Sequence, residues 1–200
     1  AGDDPAGRAA LQSLARRGID ARVALAPGRA TKRNLILVPA DGGEPRVQVD
    51  VPPRVAPPLP AGAVPADLLA AARVLHLDRA SATEAALAAA RDGRPVTLDL
   101  HTCPFRPAAL DRLRAMLPRL DVLMASAAAA VALAGRLRGG APEPADACAA
   151  LADLGIPWVV ATMGAAGAIA CVAGGRPFAV PPVPVARVVD PTGAGDAFMA

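Results

Sequence analysis

The chain has 200 residues, 54% of them hydrophobic but only 2% aromatic, which suits one α/β domain with a core of aliphatic side chains. Its net charge of +3 is the difference between 21 basic and 18 acidic residues scattered along the sequence, so no nucleic-acid partner is expected. No apolar run approaches the ~18 residues of a membrane span, and the Gly- and Asp-rich opening does not read as a signal peptide.

In chain order, Pro5 to Arg17 reads as an amphipathic helix with Leu11, Leu14 and Ala15 inward, stopped by Gly18. Ile19 to Leu25 reads as a short strand. Asn34–Val38 and Arg46–Val51 are the arms of a hairpin around Asp41-Gly42-Gly43, the second alternating like a half-exposed strand. The Pro-rich passage from Val51 to Pro65 excludes regular structure. From residue 67 the rhythm is strand–helix–strand. Strands are predicted at Arg73–Leu77, Pro95–Leu100, Asp121–Met124 and Ile156–Ala161, the last taken as the final core strand. Helices are predicted at Ser81–Arg91, opened by a Ser81/Glu84 capping box, and at Pro107–Leu117, Ser126–Leu137 and Pro144–Leu154. Near-continuous apolar strands between helices predict a parallel sheet covered on both faces, with ligands at the carboxyl ends of its strands. Cys103, Cys148 and Cys171 are odd in number and share no metal-type spacing, so reduced thiols in a cytoplasmic protein are expected.

The last stretch carries the chemistry. Val188 and Val189 run into Asp190-Pro191-Thr192-Gly193-Ala194-Gly195-Asp196-Ala197-Phe198. Glycines at 193 and 195 permit a tight turn that brings backbone N–H groups close to a ligand. At a helix start those groups stabilise an anion. An acid placed there has work to do if it accepts a hydroxyl proton while the N–H groups neutralise a transferring phosphoryl. The plainer alternative is a helix-capping turn with an incidental Asp.

The whole string resembles the D-T-T-G-A-G-D-x-F signature of the ribokinase-like (PfkB) carbohydrate kinases, with Pro191 as the one substitution. The resemblance implies that Asp196 is the catalytic base and that Gly193, Ala194 and Gly195 form the anion hole. Thr162-Met163-Gly164-Ala165-Ala166-Gly167 resembles the family's T-x-G-x-x-G, which lies along the nucleotide phosphates. Thr162 would supply a hydroxyl there, Gly164 and Gly167 close approach, and Thr192 a further nucleotide contact. Gly2, Asp4 and Gly7 match the tail of a G-x-D-x-x-G segment that follows the family's substrate-binding strand. With an opening that lacks Met and a close at Ala200 one turn into a helix, a fragment missing its first strands and last helices is expected. Asp99 ends its strand as in the family's D-x-N-x-R, although His101 stands where Asn is usual. Asp99 is expected behind the pocket, His101 in it or at the surface, and His76 in a structural role.

The sequence departs from the family after Asp121. Members read D-x-x-x-x-N-x-x-E there, the Asn and Glu arranging Mg²⁺ and phosphate through water. Ser126 occupies the Asn position and still offers an oxygen; Ala129 occupies the Glu position and offers none. Loss of such an outer carboxylate commonly costs ~10–100-fold in metal affinity or activity.

The expected fold is therefore a ribokinase-like three-layer αβα sandwich over residues 1–200, with a central, mostly parallel sheet and a small β lid at about 33–51. The expected activity is ATP- and Mg²⁺-dependent phosphorylation of a hydroxyl, primary for preference, on a sugar or nucleoside-like small molecule. A binding or regulatory relative that kept the fold is the alternative, favoured by Ala129 and Pro191 and opposed by the intact Asp196. The lid offers free edges and apolar residues that a second copy would cover in a homodimer.

Overall fold

A computed structural model describes residues 1–23, 25–37, 47–51, 64–78, 93–100, 107–140 and 142–200. Among them, eight strands form two sheets. Strands β1 (Arg33–Leu37) and β2 (Val47–Val51) pair antiparallel, Arg33 opposite Val51 and Leu37 opposite Val47. They are the arms of the hairpin expected at 33–51; its Asp41-Gly42-Gly43 turn lies outside the described residues, as do the helix at 81–91, Cys103 and His101.

The main sheet holds β3 (Leu75–Asp78), β4 (Val96–Leu100), β5 (Val122–Ser126), β6 (Trp158–Thr162), β7 (Ala168–Val172) and β8 (Phe178–Val180), in that spatial order. The first four run parallel; β7 and β8 are added antiparallel. Ile156–Ala161 is thus not the last core strand. β7 follows it and buries Ala168, Ala170 and Cys171.

Cross-strand register sorts the side chains onto two faces, because successive residues of a strand point opposite ways. One face carries Leu75, Leu77, Val96, Leu98, Leu100, Leu123, Ala125, Val159, Ala161 and Cys171, all buried. It packs on Leu113 and Met116 of α3 (Pro107–Met116), on Leu133 and Ala134 of α4 (Ala127–Arg138), and on Ala147, Cys148 and Leu151 of α5 (Pro144–Ala152). This face is the core. The other face carries His76, Thr97, Val122, Met124, Val160 and Trp158, which are half-buried or exposed. Burial therefore alternates along β3, β5 and β6, where near-continuous burial was expected. Hydropathy misled here because Val122, Met124, Val160 and Trp158 make the second face apolar as well, although no more than half-buried.

Outside the sheet, α1 (Pro5–Arg16) and the short α2 (Ala66–Ala71) form, and Gly18 ends α1 at φ +71° as predicted. Leu11 and Leu14 of α1 are half-buried, while Ala15 is exposed. Ile19–Leu25 is not a strand. Its described residues pair with no strand, Ile19 and Leu25 are exposed, and among the described residues the bridge beside it joins Ala26 to Gly2. No helix among the described residues is long and apolar enough to cross a membrane.

Candidate active site

Ser126, Thr162 and the Gly164–Gly167 loop fall at the carboxyl edge of the parallel strands, the end where ligands of such sheets gather. Ser126 and Thr162 are the last residues of β5 and β6 and stand directly opposite each other in the register. The Thr162 hydroxyl donates to the Ala125 carbonyl at 3.4 Å. Ser126 Oγ accepts the Ala129 N–H at 3.2 Å and so caps α4. Ala129 is buried in the core cluster, at the N3 position of that helix. The family's N-x-x-E spacing is thus the spacing of a capping box, with its second half missing here.

Asp121 does not join this group. Its carboxylate accepts the Val96 N–H at 2.7 Å at the start of the strands, and its backbone bonds Val96 and Trp158. Five residues of strand separate it from Ser126, roughly 16 Å. Asp121 ties the amino edges of β4, β5 and β6 together. Asp99, on β4, is the one buried charged residue among those described, and its register partner on β3 is Asp78. His76 Nδ1 lies 2.7 Å from Thr97 Oγ1 on the next strand, the structural role expected of it.

After Thr162 the chain closes a small loop. Gly167 N–H donates to Gly164 O at 3.1 Å and Met163 N–H to Gly167 O at 2.8 Å, before β7 begins. Gly164 and Gly167 both take positive φ, at +57° and +90°. A side chain on Gly164 would meet nothing within 4 Å, so the space before its backbone is open to a ligand. Gly167 differs: the chain leaving β8 fills the place of its missing side chain. Packing accounts for glycine at 167.

The Asp190–Asp196 turn is preformed by its own side chains. Asp190 Oδ1 accepts the Thr192 N–H at 2.8 Å, and the two bonds from Thr192 hold the Asp190 carboxyl below the usual range. Pro191 fits the position between them, since an Asx turn asks no N–H of that residue. Ala194 N–H donates to the Pro191 carbonyl at 3.0 Å, so the backbone of Ala194 is spent inside the turn. Gly193, left-handed at φ +82°, caps α6 (Ala194–Met199). The N–H groups of Gly195 and Asp196 have no backbone acceptor among the described residues, and a side chain on Gly195 would meet nothing within 4 Å. Asp196 sits in the first turn with its carboxylate exposed, and a methyl on Gly193 would stand 3.9 Å from its Oδ2. Open backbone donors beside an exposed carboxylate fit a transferring phosphoryl and its acceptor hydroxyl.

The structure thus joins Ser126 to Thr162, Gly164 to Gly167, and Gly193 to Asp196. No hydrogen bond or ion pair among the described residues links the Gly193–Asp196 turn to the ends of β5 and β6. No group of three or more His, Cys, Asp or Glu among the described residues makes a ready cage for a metal ion. Sequence reasoning missed the bond network between Asp4 and Thr31, 27 residues apart, for which no local pattern exists.

Comparison with known proteins follows the same lines. The pfkB family carbohydrate kinases match residues 1–200. No curated protein matches the chain. A putative ribokinase II from E. coli, solved in complex with ATP and Mg²⁺, is 25% identical, superimposes with a TM-score of 0.78, and covers 98% of this chain with 65% of its own. Ribokinase from Thermotoga maritima is 21% identical, with a TM-score of 0.74 over 99% of this chain and 63% of its own. A fructokinase double mutant from Vibrio cholerae, bound to fructose, ADP and potassium ion, is 24% identical, with a TM-score of 0.70 over 99% of this chain and 65% of its own. The chain therefore spans less than two thirds of the length of these structures, and the fold it shares with them is the ribokinase-like α/β fold.

Proposed function

From the premise that this chain belongs to the pfkB family of carbohydrate kinases, we propose that the protein transfers the γ-phosphoryl group of ATP to a hydroxyl, primary for preference, on a sugar or related small molecule. The observation that carries the reading is the turn at Gly193–Asp196, an exposed carboxylate within one residue of open backbone donors. Asp196 takes the acceptor's proton as its oxygen bonds to phosphorus and the bond to the ADP oxygen breaks; sugar phosphate and ADP leave, with the proton passed to solvent. The open N–H group of Gly195 would meet the charge that develops on the phosphoryl oxygens, beside the left-handed Gly193 and with Ala194 holding the turn. Thr162, Gly164, Ser126 and Thr192 line the nucleotide side. Ser126 would stand beside the Mg²⁺ that accompanies ATP, and that ion would supply charge neutralisation there.

The β1–β2 ribbon is read as a lid over the acceptor. Leu35 and Leu37 are exposed on it, which supports burial against acceptor or a second copy of the chain. Such a kinase works in the cytoplasm, where ATP is.

Phosphate transfer by the full-length protein across a panel of sugars and nucleosides, with Mg²⁺ varied, tests the reading beside Asp196→Asn. Turnover that falls by roughly 10²–10⁴ in the variant assigns the base. Saturable binding without turnover on any acceptor, unaltered by the variant, sinks the kinase reading. It would leave the second reading, a binding or regulatory relative, which Ala129 favours by removing the family's outer carboxylate.

A further inference from the structure

We infer that Asp4 and Thr31 form a clasp that fixes the root of the β1–β2 ribbon, making Thr31 a positioning residue for it; its bearing on catalysis rests on reading that ribbon as the lid. Asp4 begins as an ordinary helix cap: its Oδ1 accepts the Gly7 N–H at 2.8 Å at the start of α1. The same carboxylate reaches across to the segment that leads into β1. Its Oδ2 accepts the Thr31 N–H at 2.9 Å, and Oδ1 accepts the Thr31 hydroxyl at 2.5 Å. That hydroxyl accepts in turn the Gly2 N–H at 3.0 Å. Three donors on one carboxylate, the Thr31 hydroxyl foremost, hold the Asp4 carboxyl down to about 2.

Two glycines make room for the clasp. A Cβ on Gly2 would lie 2.0 Å from Arg29 O and 2.8 Å from Thr31 N. One on Gly7 would lie 2.2 Å from Gly2 O and 2.8 Å from Thr31 Oγ1. The Gly2–Ala26 bridge and the bond from Gly28 N–H to Asp3 Oδ1, 3.1 Å, continue the same seam. Gly2, Asp4 and Gly7 are therefore spent on joining α1 to residues 26–31, not on a ligand. Thr31 stands two residues before Arg33, where β1 begins. The ribbon's orientation on the body is inherited from that anchorage.

A hydroxyl that gives one hydrogen bond and takes another has no replacement in valine of the same shape. Thr31→Val strands the part-buried Gly2 N–H and removes a charge-assisted bond, while Thr31→Ser keeps both. Hydrogen exchange on the full-length protein reads the result directly. Thr31→Val is expected to speed exchange at 33–37 and 47–51 roughly tenfold or more, leave β4–β6 unchanged, and raise the acceptor KM while the ATP KM holds; Thr31→Ser is expected to match wild type. Ribbon exchange unchanged in Thr31→Val overturns the clasp, whatever turnover does. Acceleration spread evenly through β4–β6 overturns it too, since Thr31 would then serve overall stability. Faster ribbon exchange with kcat and both KM values unchanged supports the clasp and removes the lid reading instead.

Discussion

A methyl group on Gly167 would stand 2.2 Å from the carbonyl oxygen of Val180 and 2.9 Å from the nitrogen of Pro182. The chain leaving β8 for the Gly193–Asp196 turn thus lies directly against the loop that follows Thr162. Gly167→Ala must push that crossing aside and also hold a left-handed φ of +90°. Gly164→Ala bears only the left-handed cost, about 1–2 kcal/mol, because nothing occupies the space in front of it. Urea denaturation of the pair is expected to show Gly167→Ala as the less stable. Equal losses would mean that the crossing yields freely.

Acid titration reports on Asp4. Its carboxyl is lowered from 3.8 to about 2, so the stability it adds is fully present above pH 3.8 and lost as pH falls toward 2. Asp4→Asn is expected to be less stable than wild type at pH 6, with the gap narrowing between pH 4 and pH 2. A gap that stays constant across that window would show that the carboxylate's charge is not what the Thr31 and Gly7 donors recognise.

Ala129→Glu restores the second half of the capping box at the start of α4. On the proposed function, the Mg²⁺ concentration for half-maximal turnover is expected to fall by about tenfold or more. Because Ala129 is buried, the variant is also expected to lose some stability, read by thermal melting. An unchanged Mg²⁺ profile in a folded variant would detach position 129 from the metal.

Cys148 and Cys171 are free, buried thiols on α5 and β7. Burial pushes the Cys148 thiol up to about 11, with Cys171 adding to the effect, and burial raises Cys171 as well. Neither is expected to react with a thiol reagent at pH 8 until the protein unfolds. Peptide mapping after brief labelling checks this; modification of Cys148 in the native protein would show that α5 lifts from the sheet.

Leu123, the second residue of β5, has no exposed surface and belongs to the core cluster with Leu133 and Ala134 of α4. Leu123→Ala is expected to cost about 2–5 kcal/mol by the lost transfer energy and the cavity left behind. Leu35→Ala, on the exposed ribbon, is expected to change stability by less than about 0.5 kcal/mol.

The parallel body was legible because its signals are local: Ser126 and Gly18 mark helix ends, and Leu98 and Leu123 sit in short apolar runs. β7 is not legible as a strand although Ala168–Val172 is apolar throughout, since a five-residue apolar run alone does not tell a strand from other buried structure. Ile19–Leu25 has the composition of a strand, but its described residues have no neighbour to pair with, and pairing decides. In the site, the Gly193–Asp196 turn could be read whole, since Asp190 and Thr192 fold it from within. Asp121 could not be placed: a motif on one line of sequence spans a strand and puts its ends on opposite edges of the sheet. Nor could Thr31, whose partner lies across the chain.

The two antiparallel strands also settle a question of parity. A chain that climbs β6 finishes at the edge where Thr162 stands; one return strand would leave it at the far edge, beside Asp121. A second return, β8, brings it back. The chain therefore leaves β8 at the edge where Thr162 stands because an even number of strands was added after β6. Any relative that gained or lost a single strand at this point would leave the sheet at the opposite edge, beside the residue that stands for Asp121.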